Sequence, residues 1–95
     1  MLNQENREKC RRVLNRFGYR HQALILVEEC AELQQAVCKL FRSETTLMSQ
    51  SENFKEEIVD VIVMVTQAVL MANLSIGEIN DMAQEKLDRV LKKAE

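Results

Sequence analysis

The chain has 95 residues, enough for one domain with a modest core, and residues 1–95 form a single unit on this reading. Apolar residues make up 46% and charged ones 29%, which excludes a disordered chain; a net charge of −2 excludes the broad basic footprint of a nucleic-acid binder. With no proline, and with Gly18 and Gly77 as the only glycines, little in the sequence interrupts a helix, and an all-α fold is predicted.

The first helix is predicted from about residue 3 to Phe17, with Gly18 available for the left-handed position that closes a helix. The cations in and just after it, Arg7, Lys9, Arg11, Arg12, Arg16 and Arg20, are interrupted by Glu5 and Glu8 and form a solvated face. A second helix spans about residue 21 to Phe41, with Leu26, Leu33, Val37 and Leu40 at roughly helical spacing. The polar stretch RSETTLM follows as a connection. Ser49 with Glu52 has capping-box spacing and predicts the start of a third helix near residue 50. That helix should end near Asn73, a residue that tolerates the left-handed conformation. Ser75 with Glu78 is a second capping box, opening a fourth helix to about Lys93.

The third helix contains the most apolar stretch, IVDVIVMVTQAVLMANL, residues 58–74. Asp60, Gln67 and Asn73 interrupt it, and it falls short of the roughly 18 clean apolar residues that a membrane span requires. It is a buried helix, apolar nearly all round at Ile58, Val59, Val61, Ile62, Val63, Met64 and Val65. Four short helices can barely enclose such a helix. The expected architecture is therefore a four-helix bundle completed by homo-oligomerisation, as a homodimer or homotetramer. Cys10, Cys30 and Cys38 are odd in number and lack C-x-x-C spacing, which fits a reducing, cytoplasmic setting better than a disulfide framework. Zinc held by Cys30, Cys38 and the only histidine, His21, is disfavoured, and no secretory signal pattern opens the chain.

Chemistry enters with VEECAEL, residues 27–33, where Glu28, Glu29 and Glu32 crowd an otherwise apolar helix. Like charges one turn apart cost about 0.2–0.5 kcal/mol per pair even on an exposed helix. In KEEIVDV the same arrangement returns as Glu56, Glu57 and Asp60: two adjacent acids, then a third one turn on. In each triplet the second and third members share a face, so two such helices packed together can aim Glu29, Glu32, Glu57 and Asp60 at one point. Converging carboxylates need protons or a cation, and an all-oxygen donor set selects Mg²⁺, Mn²⁺ or Ca²⁺. Mg²⁺ keeps waters and binds phosphates, which points to phosphate-ester chemistry. A di-iron bundle is excluded, because it needs a Glu-x-x-His on each of two helices and His21 stands alone. The competing reading pairs these acids with Lys or Arg as ordinary helix-surface charges.

EECAE followed after 24 residues by EIVD resembles the E-E-x-x-E…E-x-x-D signature of the MazG-like all-α nucleoside triphosphate pyrophosphatases. The likeness extends from a helical lead-in with Gln22 to EKLDRVLKK in the last helix. It implies hydrolysis of the α–β phosphate bond of a nucleotide, giving a monophosphate and pyrophosphate. By motif position it implies Mg²⁺ ligands at Glu29, Glu32, Glu57 and Asp60, with Glu28 supporting a further metal or orienting the attacking water. Lys86 and Arg89, which match basic residues of the family's last helix, would meet the phosphates. Lys39, two turns beyond Glu32, and Gln22, two turns before Glu29, are further substrate-binding candidates. Gln67, two turns beyond Asp60, is expected instead as a buried side chain hydrogen-bonded within the bundle. Phe17, Tyr19, Phe41 and Phe54 are the only aromatic candidates for stacking a base. The alternative function is a non-catalytic helical dimerisation or regulatory module that keeps the fold.

Overall fold

In the computed structural model, which describes residues 1–43 and 47–95, every regular element is helical. The helices are α1 (Gln4–Phe17), α2 (Tyr19–Arg42), α3 (Glu52–Met71) and α4 (Ile76–Ala94), with a short 3-10 turn at Met48–Gln50. No strand occurs among the described residues, and no single helix is long and apolar enough to cross a membrane. Of the connection RSETTLM, residues 44–46 lie outside the described residues.

Local chemistry sets each boundary. Asn3 caps α1, its side chain accepting from the Asn6 backbone N–H at 2.8 Å. Gly18 closes α1 with φ 90 and ψ 160, a region open to glycine but outside the left-handed helical well that the sequence suggested. Because this single residue turns the chain, α2 begins at once at Tyr19, two residues earlier than expected. The cap of α3 is Ser51, not Ser49: the Ser51 hydroxyl accepts from the Phe54 N–H at 3.1 Å, while Ser49 is taken up in the 3-10 turn. Two serines so close together offer rival caps, and the turn decides between them. The end of α3 is a Schellman motif. Asn73 adopts φ 54, its N–H donates to Leu70 at 3.2 Å, and the Leu74 N–H donates to Val69 at 3.1 Å. Ser75 then caps α4, accepting from the Glu78 N–H at 3.0 Å while its hydroxyl donates to the Glu78 carboxylate at 3.2 Å.

The body of the molecule is the α2–α3 pair with α1 laid against both. Gln22 meets Gln67, and Glu29 meets Glu57 and Asp60, so α2 and α3 run antiparallel. The fully buried apolar side chains are few: Cys10, Leu14, Ala36 and Met64. At the seam Gln22 donates to the Gln67 carbonyl oxygen at 2.8 Å and accepts from His21 Nδ1 at 2.7 Å. Gln67, 1% exposed, also has its amide 3.7 Å from the Met64 sulfur. α3 is apolar on more sides than the other helices of the chain cover, leaving Val59 and Val65 exposed. α4 leaves α3 at 112° and buries none of its residues.

Candidate metal centre

Two polar layers interrupt the α2–α3 seam. Seven residues from Gln22 to Glu29, and seven from Gln67 back to Asp60, separate the amide pair from a carboxylate cluster by about 10 Å along the helices. The regular register therefore carries the second and third acids of both triplets to the same level. Glu29, Glu57 and Asp60 each present a carboxylate oxygen, and these oxygens all lie within 4.8 Å of one another. Glu32, exposed at the mouth, is the fourth member: its charge and its hydrogen bonding act on both Glu29 and Glu57.

The electrostatics follow from the geometry. Glu29 is raised from the ordinary carboxylate value first by burial, then by the charges of Glu32 and Asp60, a hydrogen bond with Glu32, and the charge of Glu57. Glu57 is raised by burial, then by Glu32 and Asp60, the hydrogen bond with Glu32, and the charge of its neighbour Glu56. One carboxylate oxygen on each of Glu29 and Glu57 is out of contact with solvent and has no hydrogen-bond partner. Orphaned acceptors of this kind are rare in folded proteins and costly unless something donates to or coordinates them. No cation among the described residues does so: the ion pairs there are Lys9 with Glu5 and Lys55 with Glu52, both exposed. Asp60, exposed at the rim of the cluster, forms no ion pair with a Lys or Arg among the described residues. Oxygen donors converging from two helices, with buried lone pairs unspent, are of the type that a hard divalent cation takes.

The remaining candidates are distributed unevenly. Glu28 is exposed on α2 beside Glu29, outside the group of converging oxygens. Lys39 is exposed and lines a shallow depression with Gln34, Gln35, Cys38 and Arg42 on the surface of α2. Gln22 is buried, with its amide committed to Gln67 and His21, so the structure does not present it to the cluster. Gln67 is the internally bonded side chain its position in the apolar run implied. Lys86 and Arg89 line a depression on α4 with Val90 and Lys93, and α4 does not carry them onto the cluster. Of the aromatic residues, Phe17 stacks on His21 at 5.3 Å, and Phe41 and Tyr19 are exposed. One residue was undervalued in the sequence: Glu56 acts on Glu57 and lines a depression with Lys55, Val59 and Asp60, a role signalled only by its place as first member of the triplet.

No family model, curated protein or solved structure matches the chain. The geometry of the cluster carries the functional reading.

Proposed function

We propose that the chain is a Mg²⁺-dependent nucleoside triphosphate pyrophosphohydrolase, with Mn²⁺ an acceptable substitute, acting as a homo-oligomer. The observation that carries this reading is the convergence of three carboxylate oxygens within 4.8 Å, two of the residues also holding a buried, unpartnered oxygen. The spacing of the two acidic triplets, which resembles that of the MazG-like pyrophosphatases, supplies the reaction class.

On this proposal Glu29 and Glu57 hold the ion from within the seam, and the exposed Asp60 and Glu32 hold it from the mouth. When bound, the ion would neutralise phosphate charge and acidify a water. Water adds to the α-phosphorus, the bond to the bridging oxygen breaks, and pyrophosphate leaves with a nucleoside monophosphate as the second product. Glu28, solvent-facing and next to Glu29, would orient that water and accept its proton. Lys86, Arg89 and Lys39 supply the positive charge that a triphosphate requires. No side-chain nucleophile is needed. Cys10 is buried, its thiol pushed up by desolvation, and Cys30 is half-buried; both pack as small apolar groups.

The test is a panel of ribo- and deoxyribonucleoside triphosphates incubated with the protein in Mg²⁺ and in EDTA, with products separated by ion exchange. Monophosphate and pyrophosphate in Mg²⁺ alone support the reading. Diphosphate and phosphate would overturn the assigned bond. Binding of Mg²⁺ without turnover of any nucleotide would favour the non-catalytic module.

A further inference from the structure

Charge is not spread evenly along the chain. From Lys9 to Val27 there are five cations and no carboxylate, whereas the rest carries eight cations against fifteen acids. The net charge of −2 therefore conceals a basic segment made of the end of α1, the Gly18 elbow and the start of α2. Arg11, Arg12, Arg16 and Arg20 are all exposed, and none of them forms an ion pair among the described residues. Arginines kept clear of acids in one part of an acidic protein draw an anion from outside.

The same corner presents aromatic rings to solvent. Phe17 is 53% and Tyr19 60% exposed, one on each side of Gly18. Phe17 stacks on the exposed His21, with ring centres 5.3 Å apart and planes 23° from parallel. The Arg16 guanidinium lies 5.5 Å from the centre of the Phe17 ring. This cluster is tied down from the interior. The Gly18 N–H donates to Leu14 at 2.8 Å and the Gln22 N–H to Gly18 at 3.1 Å, so hydrogen bonds close the elbow on both sides. His21 Nδ1 donates to the Gln22 carbonyl oxygen at 2.7 Å, and Gln22 is itself buried against Gln67. The bond adds little to the core, because His21 is exposed, but it fixes the imidazole in orientation. Oriented, solvent-facing rings among unpaired arginines are what stacking of a base beside its phosphates requires.

We propose that this corner binds single-stranded nucleic acid, with a base stacked on the Phe17–His21 rings and neighbouring phosphates held by Arg12, Arg16 and Arg20. The rings favour this polyanion over an acidic peptide, because every base offers a flat π-face. They favour a single strand over a duplex, whose bases are already stacked on one another. Arg12 and Arg16 stand one turn apart on α1 and Arg20 follows beyond the elbow, so cations precede and follow the rings along the chain. The site is separate from the acidic cluster, since His21 precedes Glu29 by about 12 Å along α2. It needs no metal and does not rest on the hydrolysis proposed above.

The experiment is fluorescence anisotropy of labelled oligothymidylate with the native chain, in EDTA and at a series of salt concentrations. Saturable binding is expected at low salt. The logarithm of affinity should fall against that of salt with a slope of about −2, because each single-strand phosphate contact contributes about −0.7 and three arginines are engaged. Arg16→Gln should make the slope shallower by about 0.7. Phe17→Leu should weaken binding about tenfold and leave the slope unchanged. Both side chains are exposed, and thermal melts verify that the variants fold. Absence of binding at low salt, or equal affinity for an oligothymidylate–oligoadenylate duplex or for polyglutamate, overturns the inference. So does an unchanged affinity in Phe17→Leu or an unchanged slope in Arg16→Gln. Displacement of the strand by an equal concentration of thymidine triphosphate would assign the corner to a single nucleotide and overturn it as well. Because EDTA is present throughout, these outcomes are independent of whether the acidic cluster binds Mg²⁺ or supports turnover.

Discussion

Replacing Asp60 with Asn separates a metal ligand from a structural charge more sharply than any other substitution. The change keeps size and shape but removes one of the three carboxylates whose oxygens lie within 4.8 Å. Asp60 raises the proton affinity of both Glu29 and Glu57 and has no cationic partner among the described residues, so its charge contributes repulsion and no attraction. Apo-protein stability should therefore hold or rise when it is neutralised. A metal centre would lose one of its few anionic donors, and turnover should fall at least about a hundredfold, or about 2.7 kcal/mol of transition-state stabilisation. The assay pairs pyrophosphate-release rates in Mg²⁺ with thermal melts of both proteins in EDTA. A marked loss of EDTA stability with activity intact would refute the reasoning, because it would mean that Asp60 holds the fold through a partner.

Mg²⁺ or Mn²⁺ at millimolar concentration should raise the melting temperature without nucleotide, since an ion that binds only the converged triplets stabilises the folded state; calorimetry showing no binding and no shift would count against this. The pH dependence has a definite sign. Glu29 and Glu57 hold protons more tightly folded than unfolded, so their contribution favours the fold most below the ordinary glutamate value of 4.5 and is lost as pH rises through their raised values. Urea titrations in EDTA should accordingly show the native chain losing stability relative to Glu29→Gln, Glu57→Gln as pH climbs from 4.5 toward neutrality, and a gain over that range would contradict the geometry. Gln67→Leu should cost about 1–3 kcal/mol by leaving the buried Gln22 amide without its partner, and adding Gln22→Leu should recover part of the loss; additive losses in a double-mutant cycle would argue that the two amides are not coupled.

The helices were legible because breakers are scarce and the apolar spacing is strong, and the Ser75–Glu78 box and the Asn73 terminus lie where local chemistry placed them. The start of α3 was not, since Ser49 has the capping-box partner Glu52 while Ser51, followed at that spacing by Phe54, is a plain N-cap serine that only the intervening turn selects. The acidic cluster was readable from matched spacing: on two antiparallel helices the second acid of one triplet falls level with the third acid of the other. Gln22 shows where such reasoning fails. Its spacing puts it on the correct face of α2, but the same register puts Gln67 opposite it, and the two amides satisfy each other instead of facing a ligand. Lys86 and Arg89 show a second limit, because one-dimensional spacing says nothing about the 112° departure of α4.

The central claim is that the triplets on α2 and α3 build one divalent-metal centre. Mn²⁺ titration followed by electron paramagnetic resonance tests it most directly. The account predicts saturable loss of the free-ion signal by the native chain, at a fixed ratio of ions to protomers, and none by a folded Glu29→Gln, Glu57→Gln variant. Equal Mn²⁺ uptake by the two proteins, or none by the native chain, would contradict it.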